Sequence, residues 1–515
     1  MRRLLIFTIC FILPAFYSLA GGHLRMVTDK KVYLAGEKIL CSVSYCQNGI
    51  VSGASSVAYA ELVSFDGMAA KTKLALIDGR GAGYISLPAH MPTGAYRLFA
   101  YTSDCESTRA IDLLVFNTGS SARVRDGVEL SDAPAPAPAP VSELPDGVRL
   151  IRRQQGDSLY LSVRNESAEK LSLAVSVYED DGLQPDTSAT MISLPGGEIE
   201  TEGEIVRARV FGRDAEKIKG RPWLEAMISA PGSPSDTYTA PIGKDGLIEF
   251  RTNNIYGEKD LVCEILGAEE EKYDCHFSPV SPFVDVQGME FPKLNLSRNM
   301  KPALLARHRA VLNDAPALDT LYEFLPKRDN LLFSKEDCTS YNLEDYTRFP
   351  KVEDIIVELI PNVIVRKVHG ERRIKLALND VPSKKRADNV LVMLDGVPVS
   401  VHERLLSFDA MALAEVQIYP YVYALGRTVF NGAINFVTTR HDMSALVFDD
   451  NVLILDFTGC SYPVALRPGG RSRNSGGRTL YWHPVAELEP GASLEFSVVS
   501  DSPAISTVVT RMDRF

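Results

Sequence analysis

The chain has 515 residues, of which 45% are hydrophobic and 23% charged, and its formal net charge is −11. This is the composition of an ordinary globular protein, and at about 100–200 residues per domain the length suggests three or four domains. An acidic chain without a long basic run lacks the clustered positive face that nucleic-acid binding requires. We therefore expect no nucleic-acid partner.

The first 20 residues have the pattern of a secretory signal peptide. Arg2 and Arg3 precede an apolar stretch from Leu4 to Phe16, and small residues end the segment at Ala20. The apolar stretch is shorter than the roughly 20 residues of a spanning helix, and no later segment is apolar enough to form one. We therefore expect an exported protein, periplasmic or associated with the outer membrane of a Gram-negative type envelope. After cleavage it would have no transmembrane segment and would be at most peripherally attached to the membrane.

Seven of the eight cysteines follow the predicted cleavage site. An odd number means that at least one thiol is free or paired with another chain. Cys263 and Cys275 flank residues 267–272, which predict the turn of a hairpin, so a disulfide between them is plausible in an oxidising compartment. Two buried reduced thiols explain the same pair equally well, because the sequence does not supply the Cα separation. No CxxC pair occurs, and we expect no metal site and no cofactor.

Residues 21–120 predict a β-sandwich, because short alternating strands recur between turns every 8–12 residues or so. The motifs Lys31-Val-Tyr-Leu-Ala-Gly-Glu37 and Met91-Pro-Thr-Gly-Ala-Tyr-Arg-Leu98 resemble the second macroglobulin-type (MG2) domain of the α2-macroglobulin superfamily. The reactive thioester motif Cys-Gly-Glu-Gln of the trapping proteins is absent. The resemblance therefore implies the fold and not a covalent protease trap.

Residues 121–146 predict a linker that contains an alternating Ala-Pro run from Ala133 to Pro140. Because proline holds the chain extended, this run predicts a semi-rigid spacer. Residues 147–285 return to alternating patterns, as in Leu171–Val177, and predict a second β-sandwich. Two sandwiches in tandem suggest a stalk that places the next domain.

Residues 286–351 predict a helical connecting region. Apolar residues recur at helical spacing in 301–312, and a second short helix is predicted over 317–325. A third helix is predicted from Val352 to Ile360, where Pro361 ends it.

Residues 352–440 predict a small α+β unit with buried strands and glycine turns. An apolar strand from Asn389 leads to an Asp395-Gly396 turn, and a later strand leads to a turn at Tyr423–Gly426 before Phe430–Thr439 closes the unit. In order and spacing these pieces resemble the plug domain of TonB-dependent outer-membrane transporters.

In those transporters a large membrane barrel follows the plug. Only 75 residues follow Arg440, whereas even eight transmembrane strands with their turns need more than about 100 residues. The chain therefore resembles envelope proteins that combine macroglobulin-like domains with a plug-like domain and no barrel. That resemblance implies a C-terminal β domain over 441–515. It also implies that the plug-like loops contact an outer-membrane or periplasmic protein, and these loops are marked by Asp395, Gly396, Tyr423 and Gly426.

No catalytic motif is present. The sequence contains neither a GxSxG elbow nor an HExxH helix, and no two of its eight histidines lie four residues apart. We therefore predict a non-enzymatic interaction protein of the cell envelope. Two alternatives stay open: a structural or adhesive surface protein with a β-sandwich stalk, and a hydrolase whose carboxylates meet only in the folded chain. The expected fold is mainly β with an α+β module: tandem macroglobulin/Ig-like β-sandwiches, the plug-like domain and a C-terminal β-sandwich-like domain.

Overall fold

The computed structural model describes residues 22–514 except for 120–127, 135–136, 138, 181, 184–189, 233–235, 254, 267–272, 287, 292–293, 301–303, 306–321, 325–332, 334–337, 369, 378–388, 442, 444–445, 449–451, 467–478 and 501–503. The predicted signal peptide and nearly all of the helix predicted over 301–312 lie outside the described residues. Within the described residues, no helix is both long and apolar enough to cross a membrane.

The first ten strands lie between residues 23 and 116. They are β1 (His23–Thr28), β2 (Val32–Leu34), β3 (Lys38–Gln47), β4 (Ile50–Val51), β5 (Val57–Ser64), β6 (Gly67–Ala75), β7 (Arg80–Ser86), β8 (Gly94–Tyr101), β9 (Ser107–Arg109) and β10 (Ile111–Phe116). In one sheet β1, β4 and β7 pair with β3, and the other has the order β2–β10–β8–β5–β6. Tyr33, Val43, Leu62 and Phe99 belong to the core. We call this unit the first sandwich; it is the β-sandwich predicted over 21–120.

The interior strand β5 of the first sandwich is buried at every position. A strand has two faces, so both of them must be covered. One face belongs to the sandwich core. The other is covered by residues 199–204, 283–286 and 288–291, which we call the clasp. The ring of Phe283 meets that of Tyr59 edge-on, at a centroid distance of 5.8 Å.

The elements between residues 128 and 297 are mostly strands. They are β11 (Val128–Ser131), β12 (Ser142–Glu143), β13 (Val148–Gln155), β14 (Ser158–Asn165), β15 (Leu171–Glu179), β16 (Met191–Ser193), β17 (Ile205–Phe211), α1 (Ala215–Ile218), β18 (Glu225–Ser229), β19 (Thr237–Pro241), β20 (Leu247–Arg251), β21 (Glu258–Leu266), β22 (His276–Pro279) and β23 (Leu294–Ser297). One turn of 3₁₀ helix, Arg298–Met300, follows these strands.

The elements from residue 322 onward combine short helices with strands. They are β24 (Tyr322–Phe324), β25 (Thr339–Asn342), α2 (Val352–Leu359), β26 (Val363–Val368), β27 (Glu371–Leu376), β28 (Leu391–Leu394), β29 (Val397–Pro398), α3 (His402–Leu406), β30 (Leu413–Leu425), β31 (Thr428–Thr438), β32 (Leu453–Thr458), β33 (Val464–Leu466), β34 (Thr479–Leu488), β35 (Ser493–Val499) and β36 (Ile505–Arg511).

The predicted domain boundaries at 147–285 and 441–515 are wrong. Strands β13 and β14 form a sheet with β35, and β15 lies between β34 and β36 in a sheet that also holds β12. These seven strands form what we call the terminal sandwich, which joins both predicted domains. The physical reason is that strands of period two look alike in sequence, so alternation predicts a strand but not its pairing partner.

The remaining strands of the predicted second sandwich form a separate unit, the middle sandwich. One sheet has the order β20–β17–β22 and the other β19–β18–β21–β32. In β20, Ile248 and Phe250 are buried, whereas Glu249 and Arg251 are exposed, as the two faces of a half-buried strand require. Strand β32 belongs to this sheet although it lies within the predicted C-terminal domain.

The predicted α+β unit is confirmed as a fold. A five-stranded sheet with the order β25–β30–β31–β28–β29 shares a core with α2, α3 and the hairpin β26–β27. The parallel pairing of β28 with β31 places the turn at Asp395 next to the end of β31. We keep the name α+β unit for residues 339–438.

Two further predictions need correction. Residues 322–324 form a strand that pairs with β33, so the helix predicted over 317–325 is wrong at that point, and β23 and β25 add strands to the predicted helical region. The predicted linker is not only a spacer, because β11 pairs with β23 and β12 with β36. β11 and β23 form a two-stranded sheet of their own, whereas β12 adds to the edge of the sheet that holds β36, and in both cases backbone groups of the linker find partners.

Candidate interaction surfaces

The Asp395-Gly396 turn is buried within the chain. Asp395 is 1% exposed and has a φ of +49°, and Gly396 follows with a φ of +81°. The Asp395 carboxylate accepts hydrogen bonds from Thr438 N at 2.7 Å, Thr438 Oγ1 at 2.6 Å and Met443 N at 2.9 Å. Asp395 therefore holds together the end of β31 and the segment that follows it.

The same turn contacts the middle sandwich. The carbonyl oxygen of Asp395 accepts a hydrogen bond from Gly232 N at 2.7 Å, and that of Gly396 accepts one from Thr237 Oγ1 at 3.1 Å. The backbone of the predicted contact loop is thus engaged by the loop and strand that follow β18.

Tyr423 and Gly426 lie at the tip of the β30–β31 hairpin. Tyr423 is 8% exposed and stacks on Phe333 at a centroid distance of 4.9 Å. Gly426 lies so close to Thr239 and Glu225 that a Cβ at this position would collide with both side chains. The neighbouring Arg427 N donates to the Glu225 carboxylate at 3.1 and 3.2 Å. All four predicted contact residues therefore make contacts inside this chain instead of forming an open docking loop.

The predicted disulfide between Cys263 and Cys275 is absent: both cysteines are free and buried. The predicted hairpin is also wrong, because β21 and β22 belong to opposite sheets of the middle sandwich. Both thiols lie in the core between these sheets, where burial raises the pKa of Cys263 to about 12 and that of Cys275 to about 11. The alternative of two buried thiols, which the sequence left open, describes the structure.

Ionisable side chains concentrate at the junction of the first and middle sandwiches. Lys73 Nζ lies 2.6 Å from Glu204 Oε1, and both side chains are 5% exposed. Glu200 accepts hydrogen bonds from Tyr59 Oη at 2.8 and 3.0 Å and from Ile205 N at 2.8 Å. Burial, with a smaller contribution from the neighbouring charge of Glu204, raises the pKa of Glu200 to about 7 against the opposing effect of the hydrogen bonds from Ile205 and Tyr59. The clasp therefore contains two buried carboxyl groups: Glu204 is paired with a lysine, and Glu200 is held by hydrogen bonds from Tyr59 and Ile205.

A cavity of about 60 Å³ lies beside this cluster and is lined by Glu204, Thr252, Tyr256 and Cys460 among others. Sites for small ligands are typically about 300–1,000 Å³, so this space suits one or two water molecules and not a sugar or a peptide. Burial raises the pKa of Cys460 well above its ordinary value, which opposes formation of a nucleophilic thiolate.

His402 of the α+β unit has a structural partner. His402 accepts a hydrogen bond from Ile374 N at 3.0 Å through Nδ1, and burial lowers its pKa to about 4. Among the described residues no cluster of three or more histidines, cysteines, aspartates or glutamates could hold a metal ion.

An open groove of about 400 Å³ lies on the outer face of the sheet β13–β14–β35. Strand β14 positions its walls, because Leu159, Leu161 and Val163 point into the core and the alternate residues point outward. Ile151 is 46% exposed and Tyr160 47% exposed on this face. Ser162, Glu495 and Ser497 also line it.

The edge of this groove is basic. Strand β13 carries Arg149, Arg152 and Arg153, in a chain whose net charge is negative. Arg153 pairs in register with Tyr160, and Ile151 with Ser162. Because β13 is the edge strand, Arg153 and Ile151 extend the groove to the edge of the sheet. The sequence-based prediction missed this surface. Its signal was an arginine cluster within an alternating strand, but the groove also needs β35, which is more than 300 residues away in the chain.

Comparisons with known proteins identify no family for this chain. No protein-family model matches it, and no curated protein does. Among solved structures, Salmonella α2-macroglobulin reacted with methylamine aligns over 97% of this chain and 24% of its own, with 8% identity and a TM-score of 0.16. Trypsin-activated α2-macroglobulin from Escherichia coli aligns over 95% and 41%, with 9% identity and a TM-score of 0.20.

The Escherichia coli adhesin FdeC aligns over 48% of this chain and 62% of its own, with 11% identity and a TM-score of 0.16. The chain therefore spans less than two thirds of each of these three structures. They are β-rich proteins, as this chain is, but TM-scores at this level describe no common overall arrangement. No activity or partner is carried over from them, and the plug-like and signal-peptide assignments stay predictions.

Proposed function

We propose that this is an exported, non-enzymatic protein of the cell envelope that binds a partner protein through the outer face of β13–β14–β35. The observation that carries the proposal is the open groove of about 400 Å³ on this face. Its predicted location, in the periplasm or at the outer membrane, follows from the N-terminal sequence pattern, and the partner would be a periplasmic or outer-membrane protein.

The composition of the groove supports a protein partner. Aromatic residues and arginine are enriched where proteins bind one another, and half-exposed apolar side chains at the centre of such a patch supply much of the affinity. Tyr160, Ile151 and Arg153 provide these groups, and Val499 lies on the same face with 63% exposure. The plug-like loops are a poorer candidate, because they contact the middle sandwich.

The junction of the first and middle sandwiches supports a role other than catalysis. A hydrolase with two carboxylates requires a site that admits its substrate between them. Glu204 lines a cavity of only about 60 Å³ and is bound to Lys73, and Glu200 is not part of that lining. These carboxyl groups serve instead to hold the clasp on the first sandwich.

Site-specific photo-crosslinking in intact cells tests the proposal. A photoreactive amino acid would replace Ser162, on the floor of the groove, or Glu249, on the exposed face of the middle sandwich. We expect a discrete adduct from position 162 that disappears when Tyr160→Asp is added, and no such adduct from position 249. An identical adduct pattern from both positions, or an adduct that persists in the Tyr160→Asp variant, would rule out this groove as the binding surface.

A further inference from the structure

We propose that the partner contributes an extended acidic segment, which adds as a fourth strand to the open edge of β13. This inference rests on the proposed function, because it assigns the partner's chemistry at the same surface.

The edge of β13 is available for pairing. All eight residues of β13 pair with β14 on one side, and within the described part of the chain no strand pairs with the other side. Six of the eight residues are exposed. An unpaired strand presents a row of backbone N–H and C=O groups, and addition of an extended peptide satisfies them.

The side chains of β13 define what such a strand must offer. Arg149, Ile151 and Arg153 point to the groove face, while Val148 and Leu150 pack against the core. The added strand would therefore place every second side chain beside Ile151 and the two arginines. An alternation of apolar and acidic residues matches this surface, because opposite charges on neighbouring strands stabilise pairing.

The arginines favour carboxylate partners. Arg149 lies 3.4 Å from Glu166, an ion pair in which both side chains are exposed. The described residues give Arg152 and Arg153 no ion pair. Glu495 also lines the groove, but it lies on β35, two strands away from the open edge. Arg152 pairs in register with the buried Leu161 and lies on the opposite face of β13, so the groove face presents Arg149 and Arg153 to a carboxylate.

The same residues disfavour a second copy of this chain as the occupant. If β13 paired with β13 of another copy, three arginines from each strand would lie at the same interface. Like charges on facing strands are destabilising. A partner strand that carries glutamate or aspartate avoids this repulsion.

Fluorescence anisotropy with the full chain tests the inference. The probe is a fluorescein-labelled peptide of eight alternating glutamate and valine residues. One comparison peptide replaces glutamate with lysine, and another is N-methylated at every residue, so it retains the side chains but cannot donate backbone hydrogen bonds. We expect each change to weaken binding at least about tenfold. We expect Arg149→Glu/Arg153→Glu to do the same, whereas Arg164→Glu on β14 has less than about a threefold effect.

The outcomes separate this inference from the proposed function. Equal binding of the N-methylated peptide, equal binding to the Arg149→Glu/Arg153→Glu variant, or no binding of the glutamate peptide would overturn strand addition. The groove would still be supported as the binding surface if crosslinking from position 162 depends on Tyr160. Sedimentation that shows a dimer of the wild-type chain, lost in the Arg149→Glu/Arg153→Glu variant, would also overturn the inference, because the occupant would be a second copy. Peptide binding without a crosslink from position 162 would instead overturn the proposed function.

Discussion

Lys73 Nζ lies 2.6 Å from Glu204 Oε1, and this buried ion pair joins β6 of the first sandwich to the segment that enters the middle sandwich. Lys73 also donates to Thr458 O at 2.8 Å, and its ammonium lies 4.5 Å from the centroid of the Phe457 ring. The second oxygen of Glu204 has no hydrogen-bond partner among the described residues. One lysine therefore neutralises a carboxylate that is otherwise poorly satisfied.

Removal of Lys73 should destabilise the protein strongly. Lys73→Met leaves Glu204 buried without a counter-charge, and loss of one partner of a buried pair typically costs about 3–5 kcal/mol. Lys73→Met/Glu204→Leu removes both charges and should recover most of that loss. Urea unfolding of the three proteins measures the difference. Lys71→Met is the matched control, because Lys71 is exposed on the same strand; an equal loss in this control would contradict the interpretation.

The sequence predicted local structure well and long-range pairing poorly. The alternation in Leu171–Val177 correctly indicated β15, and Asp395-Gly396 correctly indicated a turn, because Asp and Gly tolerate a positive φ. The burial of that turn depends on Gly232 and Thr237, which are about 160 residues earlier in the chain, and no local pattern records this contact. The groove was missed for the same reason, since its third strand is β35.

Protonation of Glu200 should make stability depend on pH. Burial raises the pKa of Glu200 from 4.5 to about 7 in the folded chain, so the folded state binds the proton more tightly than the unfolded state. The resulting stabilisation is fully present below pH 4.5 and is lost as the pH rises through about 7. At about 1.4 kcal/mol per pKa unit it amounts to no more than about 3 kcal/mol.

Glu200→Gln isolates this contribution from those of the other buried acids. The amide stays neutral at every pH and retains an oxygen that can accept from Tyr59 and Ile205. We expect the free energy of unfolding of the wild type, relative to this variant, to fall between pH 5 and pH 8. Glu198→Gln is the control, because Glu198 is exposed and pairs with Arg251. A parallel pH dependence of the wild type and Glu200→Gln would show that Glu200 does not titrate in this range.

Asp395 should stabilise the α+β unit through its three hydrogen bonds. Asp395→Asn keeps a residue that tolerates the positive φ but has only one side-chain oxygen to accept from Thr438 and Met443. We expect a loss of about 2 kcal/mol, and a larger loss for Asp395→Ala, which removes every acceptor and adds backbone strain. Asp409→Asn serves as control, since Asp409 accepts from one exposed amide, Met411 N at 3.0 Å.

Amide hydrogen exchange gives the readout for these variants. Asp395→Asn should speed exchange at the amides of Thr438 and Met443, which donate to the carboxylate, before it affects the first sandwich. If exchange in residues 436–443 is the same in Asp395→Asn and Asp409→Asn, the carboxylate does not hold this segment.

The strand order of the terminal sandwich predicts which regions of the chain lose stability together when one strand is mutated. The ring of Phe496 on β35 stacks on Tyr481 at a centroid distance of 3.7 Å, and β35 pairs with β14. Phe496→Ala should lower local stability by about 2 kcal/mol and speed exchange in 159–163, while exchange in 226–229 stays unchanged. Phe457→Ala on β32 should have the reverse effect, because β32 belongs to the middle sandwich. If residues 147–285 formed one sandwich, a variant at 496 would leave 159–163 unaffected. Exchange measured by mass spectrometry on peptides of the two regions therefore distinguishes the two domain arrangements.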